Sequence, residues 1–324
     1  MSSTTSAPGA NSARPKIYIL DAFHEAGIAL ARQHADVVCW PDPAIQNWPE
    51  NADAVMVRMT PITPEQLARA QHVKMICKQG VGYDTIAIEA ARAHGIPVCR
   101  TPGINSEAVA EMAFALALTV ARRVSRFDRM LRAGTEIVRP QNLGIELQGK
   151  TVGIVGMGNI GKSVARKWLG AFDAKLLTYA PRSPADHWSD LPHTRVATLH
   201  EMLPQVDVLT LHLPLSAESH HMIGREELAL MKQDAILINV SRGGIINEQA
   251  LFDSMSKGHL FGAGLDVFEV EPPPADYPLL QLENLVATPH AGGGTHETQE
   301  KSALQVAQQV IDVLHGKPPA NCIN

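Results

Sequence analysis

The chain has 324 residues, more than one hydrophobic core serves well, so its length predicts two domains. A 45% hydrophobic and 19% charged composition fits a water-soluble globular protein, and a net charge of −5 leaves no basic footprint for nucleic acid. Four cysteines, Cys39, Cys77, Cys99 and Cys322, form no C-x-x-C pair and read as reduced thiols of a cytoplasmic protein, which excludes a disulfide framework and a zinc or other metal site.

Met1 to Pro15 consists mainly of Ser, Thr, Ala, Gly and Pro with no apolar segment, so a disordered tail is expected there and not a signal peptide. Strand and helix then alternate. Apolar runs predict strands over 16–20, 36–39, 54–57, 73–78 and 96–99. Helical spacing predicts helices over 25–34, 64–71 and 86–93, the second with Pro64 in its first turn. This alternation argues for a parallel sheet covered on both faces. Thr101-Pro-Gly-Ile-Asn105 breaks the pattern, and a long helix over 106–123 follows, apolar nearly all round and so expected between layers. Its most apolar part, Met112 to Ala121, is too short to span a bilayer.

A second α/β series starts at Thr151, with strands expected over 151–155, 175–179, 206–211, 235–240, 262–267 and 285–288. A last helix over 295–315 stops at Gly316, with Pro318 and Pro319 beyond. The first strand of this series runs into Gly156-Met-Gly-Asn-Ile-Gly161, and helical spacing continues after it. This spacing suits a pyrophosphate. Gly156 makes the tight turn, Gly158 lets backbone approach the phosphates, and Gly161 lets helix pack on strand. The helix start around Asn159 and Ile160 offers unpaired N–H groups to the anion.

Three charged residues follow later strands of the series: Arg242, Glu271 and His290. In an open parallel sheet, ligands bind beyond the carboxyl ends of the strands. Arg242, flanked by Gly243 and Gly244, has a guanidinium fork that matches a carboxylate. A histidine beside a carboxylate keeps its proton more easily and serves as a general acid.

Taken with these residues, the chain resembles the D-isomer-specific 2-hydroxyacid dehydrogenases, including the phosphoglycerate dehydrogenase and glyoxylate–hydroxypyruvate reductase types, from about Val57 to the C-terminus. The matching stretches are Gly80-Val-Gly-Tyr-Asp84, Thr101-Pro-Gly-Ile-Asn105 with Ala108-Val-Ala-Glu111, the Gly156–Gly161 loop, and His212-Leu-Pro-Leu215. They continue with Asn239-Val-Ser-Arg-Gly-Gly244, Gly264-Leu-Asp-Val-Phe268 with Glu271-Pro272, and Thr288-Pro-His290. The resemblance implies two doubly wound parallel-sheet α/β domains, a Rossmann cofactor domain inserted in a flavodoxin-like substrate domain. The substrate domain would comprise residues 1–105 plus 295–324, and the dinucleotide-binding domain residues 106–294.

The same resemblance implies roles. Arg242 grips the substrate carboxylate, and backbone around Val81 and Gly82, with Arg58, also binds substrate. His290 exchanges a proton with the substrate oxygen while Glu271 holds its imidazole. Asp266 contacts the nicotinamide carboxamide, and His212, Pro214, Val240, Ser241 and Gly292 line the cofactor. The expected activity is hydride transfer between NAD(P)H and C2 of a small 2-oxoacid such as glyoxylate, hydroxypyruvate or a phosphohydroxypyruvate-like compound, by a homodimer to which the 106–123 region contributes. Some relatives are dinucleotide-sensing corepressors, which leaves a binding protein without significant turnover as the alternative.

One departure bears on the cofactor. An NAD-binding member would carry an acid at the end of the second cofactor strand, to bond the ribose hydroxyls. Here the stretch reads Thr178-Tyr-Ala-Pro-Arg-Ser183: Ala180 replaces the acid, with Arg182 and Ser183 just beyond. This predicts a 2′-phosphate site and a preference for NADP, with NAD possible.

Overall fold

The computed structural model describes residues 14–324 and divides into two compact units, 14–104 with 296–324, and 105–295. The tail expected over residues 1–15 falls almost wholly outside the described residues.

In the first unit the order is β1 (Lys16–Ile19), α1 (Glu25–His34), β2 (Asp36–Cys39), α2 (Trp48–Asn51), β3 (Ala54–Val57), α3 (Pro64–Arg69), β4 (Met75–Lys78), α4 (Ile88–Ala93) and β5 (Val98–Arg100). The strands pair in the order β2-β1-β3-β4-β5, all parallel, which is the flavodoxin-like arrangement. Alternation along the strands divides the core in two. Ile17, Ile19, Met56, Met75, Cys77 and Cys99 face one side, with Val306, Ala307 and Val310 of the last helix. Tyr18, Val55, Val57, Ile76 and Val98 face the other, with Trp48 and Leu67. At Gly27 in α1, a Cβ would stand only 2.7 Å from the Ala303 backbone, so a glycine lets α1 and the last helix touch.

The second unit continues with α5 (Ser106–Ala121), α6 (Val124–Arg132), β6 (Thr151–Val155), α7 (Asn159–Phe172), β7 (Lys175–Tyr179), β8 (Thr194–Arg195), α8 (Leu199–Met202), β9 (Val208–Leu211), α9 (Arg225–Leu230), β10 (Ile236–Asn239), α10 (Glu248–Ser256), β11 (Gly262–Leu265) and β12 (Leu285–Ala287). The chain then returns to the first unit in α11 (His296–Leu314). The second sheet is parallel throughout, in the order β8-β7-β6-β9-β10-β11-β12, which extends the doubly wound dinucleotide-binding order by one strand. α5 is buried as its apolar circumference demands. Val109, Leu116 and Val120 pack with Ile154, Ile236 and Ile238 beneath them. Among the described residues no helix is long and apolar enough to cross a membrane.

Differences from the sequence reading are local. The strands expected to begin at Val73 and Ile96 begin at Met75 and Val98. The Val73 and Ile96 N–H groups are instead spent on the carbonyls of Ala70 and Ala91, in the turns that end the preceding helices. The sequence reading did not place α2, α6 or the two-residue edge strand β8.

Candidate active site

The loop from β6 to α7 explains its three glycines separately. Gly156 has φ +100°, in the left-handed region, and a Cβ there would collide with the backbone of His212. A Cβ on Gly161 would collide with the Gly156 carbonyl, whereas a Cβ on Gly158 would meet nothing within 4 Å. The first and third glycines are therefore demanded by packing, and the second leaves room beside the start of α7. Gly158 caps that helix with no side-chain hydrogen bond, so the first-turn N–H groups, including those of Asn159 and Ile160, are left without a capping side chain, as at helix starts that accept an anion.

His212 stands just past β9, next to this loop. Its Nε2 is 2.8 Å from Thr210 Oγ1, and its Nδ1 is buried with no partner among the described residues. Burial pushes its pKa down to about 3, so it is a neutral ring with one polar atom left over. The Pro214 carbonyl accepts from Ser219 Oγ at 2.8 Å.

At the end of β7, Ala180 and Ser183 form a turn closed by the Ser183 N–H donating to the Ala180 carbonyl at 3.1 Å. Arg182 is exposed and pairs with Glu218 at 2.8 Å. The Ser216 hydroxyl, local backbone and Arg182 hold the Glu218 carboxyl below its ordinary range. Arg195 on β8, which the sequence reading missed, donates to the carbonyls of Ala180 and Ser183 at 3.0 Å each, and to that of Pro184. A lone arginine on a two-residue strand gives no sequence signal for that role.

The ends of β10, β11 and β12 carry the charged trio. Beyond β10, the buried Asn239 side chain organises the Ser241–Arg242 turn. Its Oδ1 accepts from the Ser241 N–H at 3.0 Å and hydroxyl at 2.7 Å, and its Nδ2 donates to the Arg242 carbonyl at 2.8 Å. Arg242 Nη1 donates to the Ser241 carbonyl at 2.7 Å, and Val240 is buried beneath. Gly243 is obligatory, since a Cβ would collide with the Phe268 backbone at the start of the segment that carries Glu271.

Beyond β11, the Asp266 carboxylate is buried and accepts from Thr288 Oγ1 at 2.6 Å and from the N–H groups of Ala291 and Gly292 at 2.8 Å each. The Asp266 carbonyl accepts the His290 N–H at 2.7 Å. This clamp holds His290 at φ +52°, a left-handed conformation uncommon for a non-glycine residue. The imidazole Nδ1 then lies 2.8 Å from Glu271 Oε2, while Glu271 Oε1 accepts the Phe268 N–H at 3.0 Å. Both side chains are about one-third exposed, at 33% and 31%, so the pair is anchored yet open on one side. Burial would raise the Glu271 carboxyl, but the hydrogen bond and charge of His290, the Phe268 N–H and Arg242 together hold it below the ordinary carboxylate value.

The other predicted residues belong to the first unit. Arg58 follows β3, its N–H donating to the Asp21 carboxylate and its carbonyl accepting from the Lys78 ammonium. Val81 and Gly82 follow β4. The Val81 carbonyl accepts from Arg100 Nη1 at 3.1 Å, and the Gly80 N–H donates to Thr101 Oγ1 at 2.8 Å.

Comparison with known proteins bears on this geometry. The family profile described as D-isomer specific 2-hydroxyacid dehydrogenase, NAD binding domain, matches residues 114–292. A glyoxylate reductase of Korarchaeum cryptofilum is 38% identical, covering 96% of this chain and 96% of that protein. A hydroxypyruvate reductase of Thermotoga maritima is 38% identical, covering 81% of this chain and 85% of its own. Among solved structures, the TT0316 protein from Thermus thermophilus superposes with a TM-score of 0.86 at 36% identity, covering 95% of this chain and 100% of that one.

Proposed function

We infer the reaction from one premise: the chain belongs to the D-isomer-specific 2-hydroxyacid dehydrogenase family. It is an NAD(P)-dependent oxidoreductase of 2-hydroxyacids and 2-oxoacids, and the substrate we propose is a small 2-oxoacid such as glyoxylate or hydroxypyruvate. The observation that carries this reading is the Glu271–His290 pair at 2.8 Å, with Arg242 close enough to act on the Glu271 charge.

The residues fit a dinucleotide. The open space over Gly158, the uncapped start of α7 and the orphaned Nδ1 of His212 offer a cradle, N–H donors and a polar contact. When bound, the nicotinamide supplies or accepts the hydride at C2. Arg242 binds the carboxylate through its two-donor fork. Glu271 fixes the ring of His290 through Nδ1, which leaves Nε2 to give a proton to the carbonyl oxygen in reduction, or to take one from the hydroxyl in oxidation. Asp266 takes three hydrogen bonds from its own loop, and a carboxylate has about four lone-pair positions, so one remains for the cofactor amide. Ser241, Val240, Pro214 and Gly292 complete the cofactor wall, while Arg58, Val81 and Gly82 are substrate contacts of the first unit.

NADP is the preferred cofactor in this reading. Ala180 neither repels a 2′-phosphate nor bonds two ribose hydroxyls, and Arg182 supplies a charge-assisted donor. Arg195 draws the turn carbonyls of 180–184 onto itself, which keeps those acceptors away from an anion. Glu218 neutralises Arg182 from an exposed position, where release costs little. The test is kcat/KM for NADPH and NADH with glyoxylate and hydroxypyruvate. We expect roughly 10- to 70-fold preference for NADPH, erased by Arg182→Ala through weaker NADPH use. Equal use of both cofactors would remove the phosphate site. Absence of turnover with every 2-oxoacid would favour the sensing protein.

A further inference from the structure

Three of the four cysteines meet in the first unit. Cys77 on β4 and Cys99 on β5 are register partners and share the sheet face covered by α1 and α11. Cys322 lies opposite Cys99 in a short antiparallel pairing on the outer edge of β5. The Arg100 N–H donates to the Asn321 carbonyl at 3.2 Å, and the Ile323 N–H donates to the Val98 carbonyl at 2.8 Å. These bonds flank the cysteine pair, so it is of the non-hydrogen-bonded kind. Opposed Cα atoms in such a pair stand about 4.5 Å apart, within the span that a disulfide bridges.

The two sulfurs lie 2.7 Å apart. Their meeting does not depend on their own attraction, because the flanking residues fix the segment. The Asn324 carboxamide accepts the Val98 N–H at 2.8 Å and donates to the Ile96 carbonyl at 2.9 Å, and Ile323 packs on the core. Cys322 is exposed and Cys99 is buried.

We propose that Cys99 and Cys322 form a reversible redox site, a dithiol that a low-molecular-weight disulfide such as oxidised glutathione converts into an intramolecular disulfide. The Cys322 thiolate attacks one sulfur of the oxidant, whose S–S bond breaks and releases one thiol. The resulting mixed disulfide is attacked by Cys99 as it gives up its proton. The Cys99–Cys322 bond forms and the second thiol leaves. The protein loses two electrons and two protons, and the oxidant gains both. Burial, with the neighbouring sulfurs, pushes the Cys99 thiol up, which suits it to resolve the mixed disulfide and not to start the exchange.

Closure would tie residues 321–324 to β5 across a sequence separation of 223 residues, a strong constraint on the unfolded chain. The strand so fixed runs directly into Arg100 and Thr101, which hold the Gly80–Val81 backbone. The site is separate from the proton-transfer pair and stands whether or not the substrate reading does.

The experiment incubates the full native chain with oxidised glutathione, quenches it in acid, alkylates free thiols under denaturing conditions and maps peptides by mass spectrometry. Wild type should lose two alkylatable thiols, with the Cys99 and Cys322 peptides joined. Its Tm should rise by roughly 5–10 °C and return on adding dithiothreitol. Cys77→Ala should behave as wild type, and Cys322→Ser should show neither crosslink nor rise. Four alkylatable thiols in oxidant-treated wild type, glutathione retained on Cys322 beside a free Cys99, or a crosslink through Cys77 would each overturn the proposal.

Discussion

Asn239 and Asp266 stand behind Arg242 and His290, the two residues on which the proposed chemistry rests. Asn239 spends its carboxamide oxygen on Ser241 and one amide hydrogen on Arg242, and Asp266 spends three acceptor positions on the loop that turns His290 outward. The preorganised geometry makes the guanidinium fork valuable, so Arg242→Lys, which keeps the charge and loses the two-donor plane, should cost about 2–4 kcal/mol of transition-state binding. That is a fall of roughly 30- to 1000-fold in kcat/KM for a 2-oxoacid. Near wild-type turnover in that variant would remove Arg242 from the anchoring role. Glu271 makes a pH prediction. Its pKa is lowered in the fold, so its ionised form contributes stability that is complete above the ordinary value of 4.5 and is lost as pH falls through the depressed one. The Tm difference between wild type and Glu271→Gln should therefore be present at pH 5 and narrow as pH drops below about 4.5. A difference that stays constant down to pH 3 would mean that the ionised carboxylate is not what stabilises the pair.

At the scale of elements, the Gly-rich turn separates what the fold needs from what the ligand needs. Gly156→Ala and Gly161→Ala would set a Cβ against backbone, so both should lower Tm as well as binding. Gly158→Ala places its methyl in open space, where only a bound pyrophosphate would meet it. It should melt within about 2 °C of wild type and bind NADPH about tenfold or more weakly, a difference read by titration calorimetry. Unchanged affinity would place the pyrophosphate elsewhere. The strand–turn–helix around this loop was legible in sequence because apolar run, glycine spacing and helical period agree over Thr151 to Leu169. The place of Arg242, Glu271 and His290 beyond β10, β11 and β12 was legible because each follows an apolar run. What escaped was held by single polar side chains far apart in the chain. Arg195 bonds carbonyls up to 15 residues away, and no period or spacing encodes that. α6 was not placed although Val124, Phe127 and Leu131 recur at helical spacing among charges, and it buries none of its residues in its own unit.

That unused pattern matters for the whole molecule. Val124 is 54% exposed and Leu131 71%, both in α6, and Leu143, eleven residues beyond its end, is 68% exposed, whereas α5 before them spends its apolar surface on its own sheet. Exposed apolar side chains that gather into one patch are what an association surface is built from. We propose that the expected homodimer, to which residues 106–123 are expected to contribute, also uses this adjoining segment, by a self-complementary contact about a two-fold axis. Leucines buried at the centre of an interface each contribute on the order of 1–2 kcal/mol, and a charge set against an apolar partner adds a desolvation cost. The double variant Leu131→Glu with Leu143→Glu should therefore weaken association by at least about 100-fold and sediment as a monomer at micromolar concentration. Its circular dichroism should match wild type, because neither side chain is buried within the chain. A wild type that sediments as a monomer, or a double variant that remains dimeric, would show that this surface does not hold two copies together.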